Sequence, residues 1–165
     1  MDSDERILAH IVSVWRESKK FLSIGGREGM LILTDRHLMF VRKTEAKKKW
    51  WQAIVERQIV DLLKDKSKNI MTMQDGYSEK NLKIDLENEK NTEISFDDIT
   101  KIEHKEEVWG SVLNIEYTKM DQKEKFQFSV VQGWVKYPSK DPLKYLRVDW
   151  GPFVQYIKDH QKLIP

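Results

Sequence analysis

The spacing of the apolar residues changes along the chain, and this change constrains the fold more than any other feature of the sequence. Up to about residue 43, and again after about residue 80, short apolar runs are separated by polar turns, as they are in strands. Between residues 45 and 66 the apolar residues instead recur at every third or fourth position, as in an amphipathic helix. The sequence therefore predicts a mainly β protein of the α+β class, with a long helix inserted among its strands.

Two pairs of apolar runs predict antiparallel hairpins. In the first hairpin, residues 29–43, the polar turn 34–37 separates the two runs. In the second, residues 111–131, the turn is predicted at residues 120–123. Further strands are predicted at residues 6–15, 81–88 and 92–96, and residues 97–107 predict a turn that leads into another strand. The long helix then falls between strands 3 and 4.

Helical spacing covers residues 45–66. One apolar stripe runs along this segment, formed by Trp51, Val55, Ile59 and Leu62. Thr44 is a candidate cap for the first turn of this helix. A second, shorter helix is predicted from about residue 150, because Asp149 suits an N-cap and Pro152 falls in the first turn, where its missing N–H costs nothing.

Length and composition limit the classes to which the protein can belong. A chain of 165 residues suits a single domain, predicted at 1–165, with the helix as an insertion in it. The absence of cysteine excludes disulfides, thiolate metal sites and a cysteine nucleophile. No apolar run approaches 18 residues, and the acidic N-terminus lacks a signal-peptide core, so the expected location is the cytoplasm.

Opposite charges are concentrated in different parts of the sequence. Residues 42–68 contain nine basic and four acidic side chains, whereas residues 74–107 contain eleven acidic side chains and five lysines. The net charge is only +2, which is small for a domain that binds nucleic acid. Positive and negative charge are therefore separated along the sequence.

The side chains that could carry chemistry do not form a recognisable site. The four histidines, His10, His37, His104 and His160, have no metal-ligand spacing, so no metal or cofactor is expected. Asp97 and Asp98 lie in a predicted turn, where such residues accept backbone N–H groups. These patterns predict a protein that is not an enzyme.

The candidate contact site lies where the first hairpin meets the long helix. It consists of Arg42, Lys43, Lys47, Lys48, Lys49 and Trp50. Tryptophan beside lysine is typical of an interface with anionic lipid headgroups. Trp51 belongs to the apolar stripe and is expected to pack on the sheet, while Trp50 lies at the border of the stripe. Two interpretations stay open at this point: a helix packed on the sheet, or a partly exposed Trp50 that contacts lipid or a partner.

Residues of the first hairpin resemble the signature of GRAM domains and related bacterial pleckstrin-homology-like (PH-like) domains. In that signature a glycine precedes a strand ending in Leu-Thr, and a turn and an apolar strand follow. The matching residues are Gly29, Leu31, Leu33, Thr34, Leu38 and Phe40. Residues 4–15 (DERILAHIVSVW) are similar to the family's opening strand, and residues 94–103 (ISFDDITKIE) to its strand and acidic turn.

This resemblance implies an antiparallel PH-like barrel or sandwich with a C-terminal capping helix, and a docking module that binds lipids or proteins. The long helix between strands 3 and 4 departs from the family, which has a short connection there. We therefore expect a non-catalytic cytoplasmic binding module. Its ligand is expected to be a protein partner or an acidic membrane surface, met by the inserted helix and by the turn of the first hairpin.

Three alternatives accompany this expectation. Assembly into a homo-oligomer through the inserted helix is compatible with either interpretation of Trp50. Nucleic-acid binding is a second class of function, since Lys47, Lys48 and Lys49 beside two tryptophans could stack and hold bases. A hydrolytic enzyme is a third, and it requires a polar pocket in which carboxylates and histidines converge.

Overall fold

Seven strands form one antiparallel sheet in the computed structural model, which describes residues 1–19, 26–73, 76–132 and 142–161. The strands are β1 Ile7–Ser18, β2 Gly26–Thr34, β3 His37–Arg42, β4 Thr92–Ser95, β5 Ile99–Glu106, β6 Ser111–Lys119 and β7 Gln122–Val130. The helices are α1 Lys48–Lys64, α2 Glu79–Asp85 and α3 Gly151–His160, with short 3-10 turns at Glu45–Lys47, Phe96–Asp98 and Pro142–Lys144. The predicted α+β class, with a mainly antiparallel sheet, is confirmed.

The sheet is open. Its strand order is β4-β3-β2-β1-β7-β6-β5, and β4 and β5 form the two edges in the part of the chain that the structure describes. Because β4 has only four residues and is followed at once by the 3-10 turn Phe96–Asp98, its ladder ends before the edges can join. The closed barrel expected from the sequence is therefore not observed.

One face of the curved sheet encloses the main apolar core. Inward-facing residues of both halves of the sheet meet there, among them Leu31, Phe40, Leu113, Ile115 and Phe128. The terminal helix α3 contributes Phe153 and Ile157, both fully buried. Asp149 accepts a hydrogen bond from the backbone N–H of Gly151 at 2.9 Å, so it stabilises the start of α3 from one position before the N-cap residue, Trp150.

The other face of β1, β2 and β3 is covered by α1 and α2. A second apolar cluster lies between them, formed by Ile7, Val12, Met30, Ile32, Met39, Val41, Trp51, Ile54, Tyr77 and Leu82. Trp51 is only 1 % exposed, so the expectation that it packs on the sheet is confirmed. Burial on both faces explains why these strands have nearly continuous apolar runs and not a strict alternation.

A buried glutamine fixes α1 on the sheet. The side-chain amide of Gln58 accepts the N–H of Val12 at 2.9 Å and donates to the carbonyl of Val12 at 2.7 Å. Strand β7 pairs with β1 only from Val14 onward, so these backbone groups have no strand beside them. Ser13, with φ 55°, lies in a bulge of β1. Before this bulge the open side of β1 is paired with Gln58, and after it the same side is paired with β7. The amide of Gln58 thus replaces a missing strand neighbour.

The strand predicted at residues 81–88 is wrong, since this segment contains α2. Asn81 and Ser78 form a reciprocal capping box, in which the backbone N–H of Ser78 donates to Asn81 at 2.9 Å. Leu82 is fully buried, whereas Ile84 is 57 % exposed. A helix of two turns needs only one buried apolar residue to pack on the sheet. The alternation of apolar residues in this segment therefore does not indicate a strand.

The start of α1 also differs from the prediction. Lys47, and not Thr44, occupies the N-cap position of α1, and it makes no side-chain cap hydrogen bond. Instead, the carbonyl of Thr44 accepts the N–H of Lys47 at 3.1 Å and closes the 3-10 turn that precedes the helix. The helical segment thus runs from Glu45 to Lys64, close to the predicted range of 45–66.

Replacing Gln58 tests its role as a strand substitute. Gln58→Ala is expected to lower the free energy of unfolding by about 2 kcal/mol or more, because it leaves the N–H and C=O of Val12 buried without partners. Chemical denaturation measures this loss. Gln52→Ala, at an exposed position of the same helix, should change stability by less than about 0.5 kcal/mol. Equal effects of the two substitutions would contradict this role.

The second hairpin offers a stabilising substitution. Its turn is tighter than predicted, because Met120 and Asp121 alone connect β6 to β7, and their φ angles are 50° and 63°. Side chains other than glycine pay a steric cost in this region. Asp121→Gly is therefore expected to raise the free energy of unfolding by up to about 1 kcal/mol, measured by chemical denaturation. A decrease would show that Asp121 contributes contacts that outweigh its backbone strain.

Candidate arginine site

Three arginines lie at one end of the inner face of the sheet: Arg16 on β1, Arg27 on β2 and Arg42 on β3. Arg16 is directly paired with Arg27 across the β1–β2 ladder. In the next row Gly29 is paired with Arg42. Because Val14, the partner of Gly29 on β1, belongs to the inner core, the two-residue period of strands places all three arginines on that same face.

Arg16 is held in place by aromatic rings. Its guanidinium carbon lies 4.4 Å from the ring centroid of Phe40 and 4.6 Å from that of Phe126, and its Nη1 donates to Thr92 Oγ1 at 2.9 Å. The ring of Phe40 fits against Gly29, where an added Cβ would lie 2.5 Å from Phe40 Cζ. The arginine side chain is therefore positioned before any ligand arrives.

Arg16 is a half-buried charge with like charges beside it. The pKa of Arg16 is lowered to about 10, above all by burial; Arg42 and Arg27 contribute to the lowering, and Tyr117 and Glu124 oppose it. At neutral pH Arg16 remains protonated, so two like charges face each other across a ladder, an arrangement that destabilises a sheet. Guanidinium groups suit phosphate and carboxylate oxygens, and the cluster can therefore accept an anion.

The residues predicted from the sequence separate in the structure. Arg42 joins the arginine site. Lys43 points to the opposite face, where its Nζ lies 3.5 Å from Glu28 and 5.7 Å from the ring centroid of Trp51. Lys47 forms an ion pair with Asp85 at 2.9 Å. Lys48 and Lys49 are exposed at the first turn of α1, which follows the end of β3.

Trp50 is half-buried between α1 and the sheet. Its ring stacks on Tyr77 and on His10, each at a centroid distance of 5.8 Å. The Tyr77 hydroxyl donates to Asp85, the residue that also pairs with Lys47. His10 and Tyr77 also contact each other, at a centroid distance of 4.8 Å, so Trp50 packs against a cluster of two rings, and its surroundings are those of the packed-helix interpretation.

His10 is a buried neutral histidine beneath Trp50. It is 1 % exposed, its Nε2 lies 2.9 Å from the Sδ of Met30, and its Nδ1 has no hydrogen-bond partner among the described residues. Burial lowers the pKa of His10 to about 4, because the charged ring would lose its hydration. This histidine is part of the packing between the sheet and α1.

Sequence reasoning missed Arg16 and Arg27. The predicted first strand ends at residue 15 and the predicted first hairpin begins at residue 29, so the sequence places neither arginine on a face of the sheet. Extending the first hairpin upstream from the turn at residues 34–37 would have set Arg27 beside the strand that carries Arg42. No signal in the sequence specified that Arg16 lies directly opposite Arg27, because that register depends on the bulge at Ser13.

Comparisons with known proteins do not identify the chain: no protein-family model matches it, and no curated protein is found to be related. Within residues 1–19, 26–73, 76–132 and 142–161, no three histidine, aspartate or glutamate side chains group so that they could hold a metal ion. In the same ranges no helix combines the length and the apolar character needed to cross a membrane. The site must therefore be interpreted from its own chemistry.

The buried His10 makes stability depend on pH. Its pKa is 6.5 in the unfolded chain and about 4 in the folded protein, so below pH 6.5 the unfolded state binds the extra proton and stability falls. Between pH 7 and pH 5 this group should remove about 2 kcal/mol, and His10→Leu should abolish that part of the loss. Urea unfolding at both pH values measures it. As a control, His104→Leu, at an exposed position of β5, should keep the pH dependence of the unsubstituted protein. If His10→Leu also kept this pH dependence, the loss of stability could not be assigned to His10.

Proposed function

We propose that the protein is a non-catalytic binding module that docks peripherally on an acidic membrane surface. The observation that carries this proposal is the pairing of Arg16 with Arg27 on the inner face of the sheet, with Arg42 in the next row. Like charges at this position cost stability, and an anion bound between them would remove the cost. A phosphate-bearing lipid headgroup has the charge and the oxygen geometry for such a contact.

Exposed lysines extend the arginine site. Lys48 and Lys49 begin α1 a few residues after Arg42, at the same end of β3. Each basic residue near an anionic bilayer contributes about 1 kcal/mol of attraction. The arginines and these two lysines together would give binding that is reversible and sensitive to salt.

The turn of the first hairpin does not belong to the proposed surface. It lies at the opposite end of β3 from Arg42, because β3 runs away from it. Arg36 in this turn is already bound by Asp2 and Asp4, with oxygens at 2.8 Å from its Nη1. The acidic character of this end favours its pointing away from an anionic bilayer.

We also propose that the fold is of the PH-like type. Two features support this: both halves of the sheet share one core, and the C-terminal helix α3 packs into that core. The open edges at β4 and β5, together with α1 and α2 between β3 and β4, would then be departures from the family's closed form. A docking role of the kind found in GRAM and PH-like domains is consistent with the arginine site.

Vesicle binding tests the proposal. The parent protein should co-sediment with vesicles that contain anionic phosphatidylserine and not with vesicles of phosphatidylcholine alone. Arg16→Gln combined with Arg27→Gln should weaken this binding by about tenfold or more, and so should Lys48→Glu combined with Lys49→Glu. Lys47 is left unchanged, because a glutamate there would face Asp85 and disturb the fold.

The matched control removes two positive charges elsewhere. Lys80→Gln combined with Lys83→Gln, at exposed positions of α2, should bind the vesicles as the parent does. Failure of the parent to bind anionic vesicles, or equal losses in the control and the arginine variant, would reject the membrane proposal. A mobility shift with nucleic acid that disappears at moderate salt would favour the alternative class.

A further inference from the structure

Strand β5, Ile99–Glu106, is an open edge of the sheet in the part of the chain that the structure describes. Near its start, the side-chain amide of Gln161 donates to the carbonyl of Ile99 at 3.0 Å. Just after its end, Arg147 donates to the carbonyl of Glu107. Between these two points the described chain gives β5 a hydrogen-bonded neighbour, β6, on one side only. An open edge of this kind can pair with a further strand.

The ladder between β5 and β6 determines which backbone groups point to the open edge. The N–H of Glu107 donates to the carbonyl of Gly110 at 2.8 Å, which continues the register of the two strands. Hydrogen-bonded positions recur at every second residue of an antiparallel ladder, so the odd-numbered residues of β5 from 101 onward bond to β6. The backbone groups that point to the open edge are those of Ile102, His104 and Glu106.

Opposite charges alternate along the odd-numbered positions of this edge. In chain order they are Lys101, Glu103, Lys105 and Glu107. Their side chains lie on the face opposite to Ile102, which belongs to the main core. Within one chain, the Nζ of Lys101 lies 3.8 Å from Glu103 and the Nζ of Lys105 lies 3.5 Å from Glu107. Ion pairs at such exposed positions contribute little, so these charges remain available to a partner.

We propose that β5 pairs antiparallel with β5 of a second copy of the chain, in the register that places His104 opposite His104. This register places Lys101 opposite Glu107 and Glu103 opposite Lys105, and two-fold symmetry repeats both pairs. All four charged positions of each strand then meet an opposite charge, which stabilises a ladder. Between the two copies these are the positions without hydrogen bonds, where side chains approach each other most closely.

The neighbouring registers that align the same backbone groups are less favourable. The register centred on Glu103 places this residue opposite its own copy and Lys101 opposite Lys105, and like charges destabilise a ladder. The register centred on Ile102 pairs only half of the charges, and it extends the partner strand to the position that Gln161 covers. The alternation of charge therefore selects one register for the dimer.

Sedimentation equilibrium of the full chain tests the pairing. A single pair of edge strands buries little area, so the protein should be mainly monomeric at about 10 μM and largely dimeric at about 1 mM. Lys105→Glu should weaken the association by about tenfold or more, because it places two glutamates opposite each other twice in the dimer. Lys83→Glu makes the same change of charge at an exposed position of α2, and it should associate as the parent does.

A double substitution tests the register itself. Glu103→Lys combined with Lys105→Glu keeps the net charge and again places opposite charges at every pair of the proposed register. In both neighbouring registers it brings lysines together. The double variant should therefore recover the association of the parent, although Lys105→Glu alone loses it.

Amide hydrogen exchange, followed by NMR, locates the contact. On going from the dilute to the concentrated sample, the amides of Ile102, His104 and Glu106 should gain protection of about tenfold or more. The amides of Glu103 and Lys105, which are bonded to β6, should be protected in both samples. His104→Pro removes an N–H that points away from β6, so it should abolish the association and keep the fold.

The charge variants leave the backbone unchanged, so they decide the outcome even if His104→Pro folds poorly. A protein that stays monomeric at the highest concentration would overturn the proposal. So would a dimer in which the amide of His104 gains no protection, because its interface would lie elsewhere, for example on α1. A double variant that associates no better than Lys105→Glu would also overturn it.

Discussion

The unpaired side of β1 is the constraint on which the rest of the structure depends. The first half of β1 has β2 on one side only, and the backbone groups on its other side need partners. Gln58 supplies them to Val12, and the carbonyl of Thr72 accepts the N–H of His10 at 2.7 Å. Once α1 is held in this way, Trp51 and Ile54 cover the outer face of the sheet, and Leu62 near the other end of the helix reaches the main core. The end of β3 and the arginine site then lie beside the first turn of the helix.

Elements with a long and regular pattern could be predicted from the sequence. Both hairpins, the long helix and the terminal helix follow from spacing and turn chemistry, and each is present. The prediction for segment 81–88 is wrong because the segment is short. Its few apolar residues fit the period of a strand and the period of a helix equally well. The capping box at Ser78 is a sequence signal that favours a helix here.

The candidate site was much harder to predict than the fold. Consecutive lysines and tryptophans in a sequence suggest a contact surface, but here Lys43 and Lys47 are paired with acids and Trp50 is packed against the rings of His10 and Tyr77. Arg16 and Arg27 are separated by a turn, and only the pairing of β1 with β2 makes them neighbours. Contacts between distant segments depend on register, and a bulge such as that at Ser13 shifts register without a clear mark in the sequence.

The segment between β3 and β4 begins and ends at almost the same place, since Phe40 and Thr92 are partners in one ladder. Geometry alone would allow a short hairpin loop to replace α1 and α2. That exchange would expose Met30, Ile32, Met39 and Val41 as one continuous apolar surface, of the kind that drives aggregation. The sheet and the inserted helices therefore depend on each other. A chain without the helices would need polar side chains at every second position of its central strands.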